Sequence, residues 1–176
     1  MSPINQEASA QENHPGQRRQ TIQLVGFRLA GREYGIPITR VREIVLMGEI
    51  TRVSQAPEFI RGSIRLRNTT IPILDLRLRF GLPPQEPTDE TRIMILGRAG
   101  KRIGVIVDAL SEVLRIAEEQ IGPPPSDTAG PEQEYLAGLV ELADRPLLVL
   151  HIDQLLGDEE TTPLEAASVG SSPASL

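Results

Sequence analysis

The sequence predicts a mainly β protein: two small five-stranded barrels with short helices, between disordered N- and C-terminal tails. Three observations predict it. Short runs of Val, Ile and Leu are bounded by Gly, Pro and Asp, as strands tend to be. Single glycines separate pairs of these runs where the chain must reverse. Finally, the pattern of the first half recurs in the second.

The elements follow in order. Residues 1–20 and 158–176 are rich in Ser, Glu, Pro, Ala and Gln without sustained apolar periodicity, so they cannot repay the entropy of ordering. IQLVGFRL (22–29), RIMILGR (92–98), RIGVIV (102–107) and PLLVLHI (146–152) read as strands. Gly31 in LAGREY and Gly100 in RAGKRI supply the positive φ of hairpin turns. TRVREIV (39–45) and DALSEVL (108–114) read as helical turns with Thr39 and Asp108 as N-caps. Strands this short, with frequent turns, fit small closed barrels. Two barrels side by side leave a groove, the first place to look for a partner.

The recurrence is a register match. At an offset of 69, Gly31, Gly35 and Glu43 meet Gly100, Gly104 and Glu112. At an offset of 76, Glu58, Gly62, Leu66, Leu74 and Gly81 meet Glu134, Gly138, Leu142, Leu150 and Gly157. The slip between the two falls in the Pro-rich stretch GPPPSDTAGPEQEY, 122–135. One domain over 21–157 is expected, divided into subdomains near 21–82 and 89–157.

Composition removes several function classes. With 18 Lys and Arg against 24 Asp and Glu, the net charge of −6 gives no overall attraction to nucleic acid or an anionic membrane. No apolar run reaches the ~20 residues of a membrane span, and the N-terminus lacks the apolar core of a secretion signal, so a cytoplasmic location is expected. The absence of cysteine excludes disulfides and thiolate metal sites.

Catalysis has few candidates. His14 falls in a tail, and His151 in LLVLHID meets Asp75 at the repeat offset, which favours a structural polar role over a catalytic base. No nucleophile triad or metal-ligand spacing is present, so neither enzyme activity nor cofactor is expected. GRAGKR (97–102) lacks the spacing and the Ser or Thr of a phosphate loop and reads as a hairpin tip. Asn68 suits a left-handed turn position.

The segment Phe59 to Leu82 carries arginines at 61, 65, 67, 77 and 79. Arg77 and Arg79 read as a solvated face beside Leu76 and Phe80. Arg65 and Arg67 alternate with Ile64 and Leu66 as in a strand, on the face away from the core. The second copy has Glu141 and Ala143 there, so the barrel itself does not call for arginine and a partner-facing role is expected. Glu43 is the nearest counterpart, and a Glu43–Arg67 pair follows as a hypothesis.

FRLAGREYGIPITRVREIV, APEFIRGSIRLRN, TIPILDLRLRFGL, RIGVIVDALSEVL, IGPPP and YLAGLVEL, in this order, resemble the CheW-type coupling proteins of bacterial chemosensory arrays from about Gln23 to Gly157. The resemblance implies two SH3-like barrels and a non-enzymatic scaffold that tethers the histidine kinase CheA to the cytoplasmic tips of methyl-accepting chemoreceptors. By the same resemblance, Val41, Gly62, Arg67, Gly104 and Val113 fall where the family contacts or shapes its receptor site. Ile38 and Glu43 fall near surfaces implicated in kinase contact. The kinase's regulatory domain is similar to the adaptor, so a barrel-to-barrel contact that builds rings is expected, with no insertion into the membrane itself. Where the family usually has Asn-Leu-Arg-Gly, this chain has Arg65-Leu66-Arg67-Asn68, and Arg65 and Asn68 are read as modifiers of specificity.

A coupling domain standing alone is expected, with no receiver domain after Gly157 and no kinase domain before Gln23. Two alternatives stand beside the leading reading. One is a small-barrel nucleic-acid-binding module, disfavoured by an aromatic content of 3%. The other is an adaptor of a non-flagellar pathway serving pili or surface sensing.

Overall fold

A computed structural model describes residues 20–98, 100–126 and 131–156; the expected tails and His14 lie outside the described residues. Among the described residues, ten strands form two five-stranded sheets: β1 (Thr21–Leu29), β2 (Arg32–Pro37), β3 (Val41–Leu46), β4 (Ile60–Leu66), β5 (Thr69–Asp75), β6 (Arg92–Arg98), β7 (Lys101–Val107), β8 (Ala109–Ala117), β9 (Leu136–Glu141) and β10 (Pro146–Leu150). Two short helices, α1 (Leu76–Arg79) and α2 (Ile152–Leu156), follow β5 and β10. Sheet A has the order β8-β1-β2-β10-β9 and sheet B the order β3-β6-β7-β5-β4.

The repeat is real, but the expected subdomain boundaries are not. Elements β1 to β5 with α1, and β6 to β10 with α2, match at the offsets read from the sequence, and equivalent strands hold equivalent places in the two sheets. Phe59 and Tyr135, related by the repeat, each accept a backbone bond, from Asp75 at 2.7 Å and from His151 at 2.8 Å. Each sheet nevertheless takes two strands from one repeat and three from the other. Sheet B is the continuous stretch from β3 to β7, and sheet A is assembled from the flanks, so division at 82–89 is corrected. A repeat tells which strands are alike; it does not tell which ones pair. The parallel pairs β2·β10, with Gly35 beside Val149, and β5·β7, with Ile73 beside Gly104, cross between repeats.

Each sheet is closed by the chain leaving its first-ranked strand. Beyond β3, Thr51 bridges Ser63 on β4, and beyond β8, Gly122 bridges Leu139 on β9. Gly62 and Gly138 lie beneath these crossings. Gly62 has φ +147, and a Cβ there would run into the Thr51 carbonyl; one on Gly138 would meet the Gly122 carbonyl at 2.8 Å.

Both expected helical turns are corrected. Of 39–45 only Thr39 and Arg40 are helical, in the single 3-10 turn Ile38–Arg40, which has no side-chain cap; Asp108 is a bend and 109–114 belong to β8 itself. VREIVL alternates half-buried and exposed positions with period two, and cross-strand pairing with β6 holds it extended. Asp108 instead accepts the backbone N–H of Ala30 at 2.8 Å and the side chain of Arg77.

Apolar side chains pack into the space between the sheets. The largest core cluster joins Phe27, Tyr34 and Leu148 of sheet A to Leu74, Met94 and Val105 of sheet B. Rings of Phe27, Tyr34, Phe80 and Tyr135 follow one another at centroid distances of 5.7, 5.7 and 5.8 Å. Separate apolar clusters, centred on Leu24 and Val140 in sheet A and on Ile73 and Ile95 in sheet B, fill the barrel interiors.

Arg77 and Arg79 are not the solvated face expected of them. The four-residue helix buries Leu76 and Arg79 and leaves Arg77 and Leu78 half-buried. Arg79 is 9% exposed, with its guanidinium 4.0 Å from the Phe59 ring centre and 5.0 Å from that of Tyr135. Arg77 bonds both carboxylate oxygens of Asp108 at 3.0 and 2.6 Å and the Pro83 carbonyl at 2.8 Å. Burial alone raises the Asp108 carboxyl, but the bonds from Arg77 and Ala30 outweigh it and hold the group below its ordinary range.

Two stability experiments follow. Gly62→Ala is expected to lose more than about 3 kcal/mol in urea unfolding, because added atoms meet backbone, whereas Gly31→Ala meets nothing within 4 Å and loses about 1 kcal/mol from its φ of +81 alone. Arg77→Ala is expected to cost about 2 kcal/mol at neutral pH. Because the folded Asp108 carboxyl is lowered, the wild type's advantage is full above the ordinary carboxylate pKa and fades as pH falls through the lowered one.

Candidate functional site

The hairpin β4–β5 turns on Arg67 and Asn68 alone. Both have positive φ, +52 and +66, and Leu66 pairs directly with Thr69, so the connection is a two-residue turn of the mirror-image type. Asn68 takes the left-handed geometry read for it. Arg67 is a turn residue, not the strand residue expected, and its side chain leaves the tip freely. It is 70% exposed and reaches Glu43 on β3 with two bonds, Nη1 to Oε1 at 2.5 Å and Nη2 to Oε2 at 2.7 Å. The hypothesised pair exists. The hydrogen bond from Arg67 lowers the Glu43 carboxyl, with a further contribution from Arg102.

So exposed a pair contributes little to stability, and its effect is to fix two charges in one geometry. They sit beside an apolar edge. β3 ends sheet B and turns Arg42, Ile44 and Leu46 outward; Ile44 is 38% and Leu46 71% exposed. The quasi-equivalent edge strand β8 exposes Val113, the repeat partner of Ile44, to 52%. Sequence reasoning passed over Ile44 and Leu46. Their signal was the run Ile44-Val45-Leu46-Met47, which is more apolar than one half-buried strand requires.

The other expected site residues divide. Val41 and Ile38 are half-buried against the inter-sheet core, close in sequence to Glu43. Gly62 and Gly104 are buried and present no side chain; a Cβ on Gly104 would come within 2.6 Å of Ile73 and 2.8 Å of Ile93. Val113 belongs to sheet A, while Val41, Gly62, Arg67 and Gly104 belong to sheet B. Arg65 is exposed on β4, and no hydrogen bond or ion pair holds it among the described residues. Arg61, by contrast, bonds Asp75 at 2.6 Å.

One inference from the repeat is overturned. Ala143 stands where Arg67 stands, yet the second barrel does carry an arginine for its edge-strand acid. Arg145, two residues further along the β9–β10 connection, places Nη2 3.1 Å from Glu112, the repeat partner of Glu43. The two turns have the same length, with Leu66 paired to Thr69 and the Leu142 N–H bonded to the Arg145 carbonyl, so comparison at a fixed offset set Arg145 against Thr69 and passed over an arginine that stands just after the turn rather than in it.

A cavity of about 620 Å³ opens at the other end of the β4–β5 hairpin, bordered by Arg52, Glu58, Arg61, Leu78, Pro84 and Glu86. No group of three or more His, Cys, Asp or Glu suited to a metal occurs among the described residues. His151 Nδ1 accepts the Gln154 N–H at 3.4 Å, as Asp75 accepts Arg77 and Leu78 N–H at 2.9 and 3.4 Å, so both serve helix starts. All five aromatic side chains, Phe27, Tyr34, Phe59, Phe80 and Tyr135, pack into or against the inter-sheet core, which leaves none to stack on a nucleic-acid base. No helix among the described residues is long and apolar enough to cross a membrane.

The Glu43–Arg67 pair can be read directly. In the wild type the Glu43 carboxyl should titrate below an ordinary glutamate when followed by carbon-detected NMR, and in Arg67→Ala it should return towards the ordinary value. An unchanged titration would mean that the pair is not formed in solution.

Comparison with known proteins bears on the same residues. The chain is 37% identical to "Chemotaxis protein CheW" of Klebsiella aerogenes over 134 residues, 76% of this chain and 81% of that one. It is 33% identical to the protein of the same description from Treponema pallidum over 149 residues, 81% of this chain and 86% of that one. The crystal structure of the scaffolding protein TtCheW from Thermoanaerobacter tengcongensis superposes with a TM-score of 0.73 at 34% identity, covering 80% of this chain and 96% of that one. The family described as CheW-like domain matches residues 23–160, which takes in both sheets, the Glu43–Arg67 pair and both exposed edge strands, and the chain belongs to that family.

Proposed function

We propose that this protein is a non-enzymatic scaffold that couples methyl-accepting chemoreceptors to a CheA-type histidine kinase in chemotaxis. The observation that carries the reading is the membership of the chain in the CheW-like family together with the face described above: a fixed, solvent-facing ion pair beside an apolar sheet edge. A scaffold needs a rigid surface that buries apolar area and orients charge, and this one offers both without a reactive group.

Arg67, exposed and held by Glu43, is the leading receptor contact. Val113 adds exposed apolar surface, and Val41 a half-buried one. Gly62 and Gly104 shape the site from within by letting chains approach. Ile38 and Glu43 are assigned to kinase contact, with the regulatory domain of CheA as the partner and rings of alternating barrels as the assembly. Receptor binding uses the helical tip of the receptor, a helix laid on an apolar surface. The protein then resides on the cytoplasmic side, at the receptor array. Arg65 adds an uncommitted positive charge next to the site and is assigned to receptor choice, with Asn68 setting the turn.

The test is reconstitution of receptor-containing membranes with the cognate kinase, with and without the protein. The wild type is expected to raise receptor-controlled autophosphorylation, and Arg67→Ala to weaken receptor binding about tenfold or more, as loss of a central interface arginine does. Exchanging the charges, Glu43→Arg with Arg67→Glu, is expected to recover part of the binding lost by each single change. A wild-type protein that neither binds receptor and kinase nor alters kinase activity would overturn the scaffold reading.

A further inference from the structure

The charges are divided unevenly between the two barrels. Residues 38–107, which build sheet B, hold 12 Lys and Arg against 7 Asp and Glu, whereas 20–37 with 108–157 hold 4 against 11. Within sheet B the cations gather at one end. Because β5 and β7 run parallel, with Ile73 beside Gly104, the Arg67-Asn68 turn and the β6–β7 turn lie at the same end of the sheet. Arg40 Nη1 bonds the Gly97 carbonyl at 3.3 Å, Arg42 lies against Gly97, and Gly97 pairs with Arg102. Lys101 is next in line, Arg102 acts on Glu43, and Glu43 holds Arg67. Arg65 lies one strand position beyond Leu66. Among the described residues, the cations Arg40, Arg42, Arg65, Arg67, Lys101 and Arg102 thus gather at this end with the carboxylates Glu43 and Asp153, Lys101 and Asp153 each keeping a further contact of its own.

Asp153 identifies the occupant. It lies on α2 and bonds Arg40 Nη2 at 2.9 Å, so the last described helix is anchored to this basic end. The chain continues from there with Asp158, Glu159, Glu160 and Glu165, and without a Lys or Arg through residue 176. Four residues lie between Asp153 and Asp158, a span of at most about 18 Å. Tethering at that range gives an effective concentration in the millimolar region, enough for weak charge pairing to be well populated.

We propose that residues 158–165 dock on the basic end of sheet B and compete there with a receptor for the Arg67 surface. The docking stands on charge and distance; only the competition rests on the function proposed above. The partner displaced must itself be acidic or present an acidic rim, since a basic one would gain nothing from the same surface.

The absence of native cysteine makes a clean test available. A spin label on Ala166→Cys in the full chain is expected to weaken the amide signals of Arg42, Lys101 and Arg102 by about twofold or more relative to Val140 in sheet A, at low salt. The contrast should vanish at about 0.5 M salt, where the Debye length is roughly 4 Å. It should also vanish when Asp158→Asn, Glu159→Gln, Glu160→Gln and Glu165→Gln are combined. Uniform weakening, or a contrast indifferent to salt and to neutralisation, overturns the docking. A contrast that appears only between separately labelled molecules overturns its being internal. In receptor binding, the neutralised chain is expected to bind about threefold more tightly at low salt. Equal affinities would overturn the competition. Failure of both chains to bind receptor would count against the scaffold, with the amide contrast still deciding the docking.

Discussion

The packing of sheet A against sheet B is the constraint on which everything else depends. Neither sheet can satisfy its apolar faces alone: each fills a barrel interior on one side and presents a second apolar face to its neighbour. The rings from Phe27 to Tyr135 run through that shared layer, and Arg79 is held among them by two aromatic faces. The long Pro-rich connection is fastened to the same layer. Buried Glu132 accepts the Tyr34 hydroxyl at 2.9 Å and pairs with Arg32, so the carboxylate is both hydrogen-bonded and neutralised. Burial and the Glu132 charge in turn raise the Tyr34 phenol above its ordinary value.

With the interior consumed by packing, recognition is left to edges and turns. The arginines of the apolar segment show how the fold sorts charge. Arg61 answers Asp75, Arg77 answers Asp108, and Arg79 answers two rings, all of them internal duties. Arg67 and Arg65 stand at the hairpin end, where the polypeptide has no further need of them. Arg67 stays in a left-handed conformation that a long side chain takes at a cost of about 1 kcal/mol, offset by a two-pronged grip on Glu43.

The sequence made the strands legible because their boundaries are local: Gly31 and Gly100 reverse the chain where expected, and the apolar runs begin and end beside them. It misled where local pattern and long-range pairing disagree. TRVREIV and DALSEVL carry plausible helix starts, yet β6 and β1 pair with these segments and hold them extended. Arg77 looked solvated because its partner Asp108 lies 31 residues away in the chain. Arg145 was missed because it stands just after its turn, opposite Thr69 of the first copy, whereas Arg67 stands within the turn. The Glu43–Arg67 pair was legible as a pairing of types, whereas the apolar edge beside it required the sheet order, which no short window contains.

The crossing of repeats between sheets also bears on how such a molecule could arise. One repeat alone supplies two strands to one barrel and three to the other, and so owns no complete barrel. Two separate copies could complete both only by exchanging arms, as a domain-swapped pair does. The stretch from Pro83 to Thr88 joins what would otherwise be two chains. Once joined, the copies were released from identity, which is how one barrel could turn basic and the other acidic while the strand order of both stayed the same.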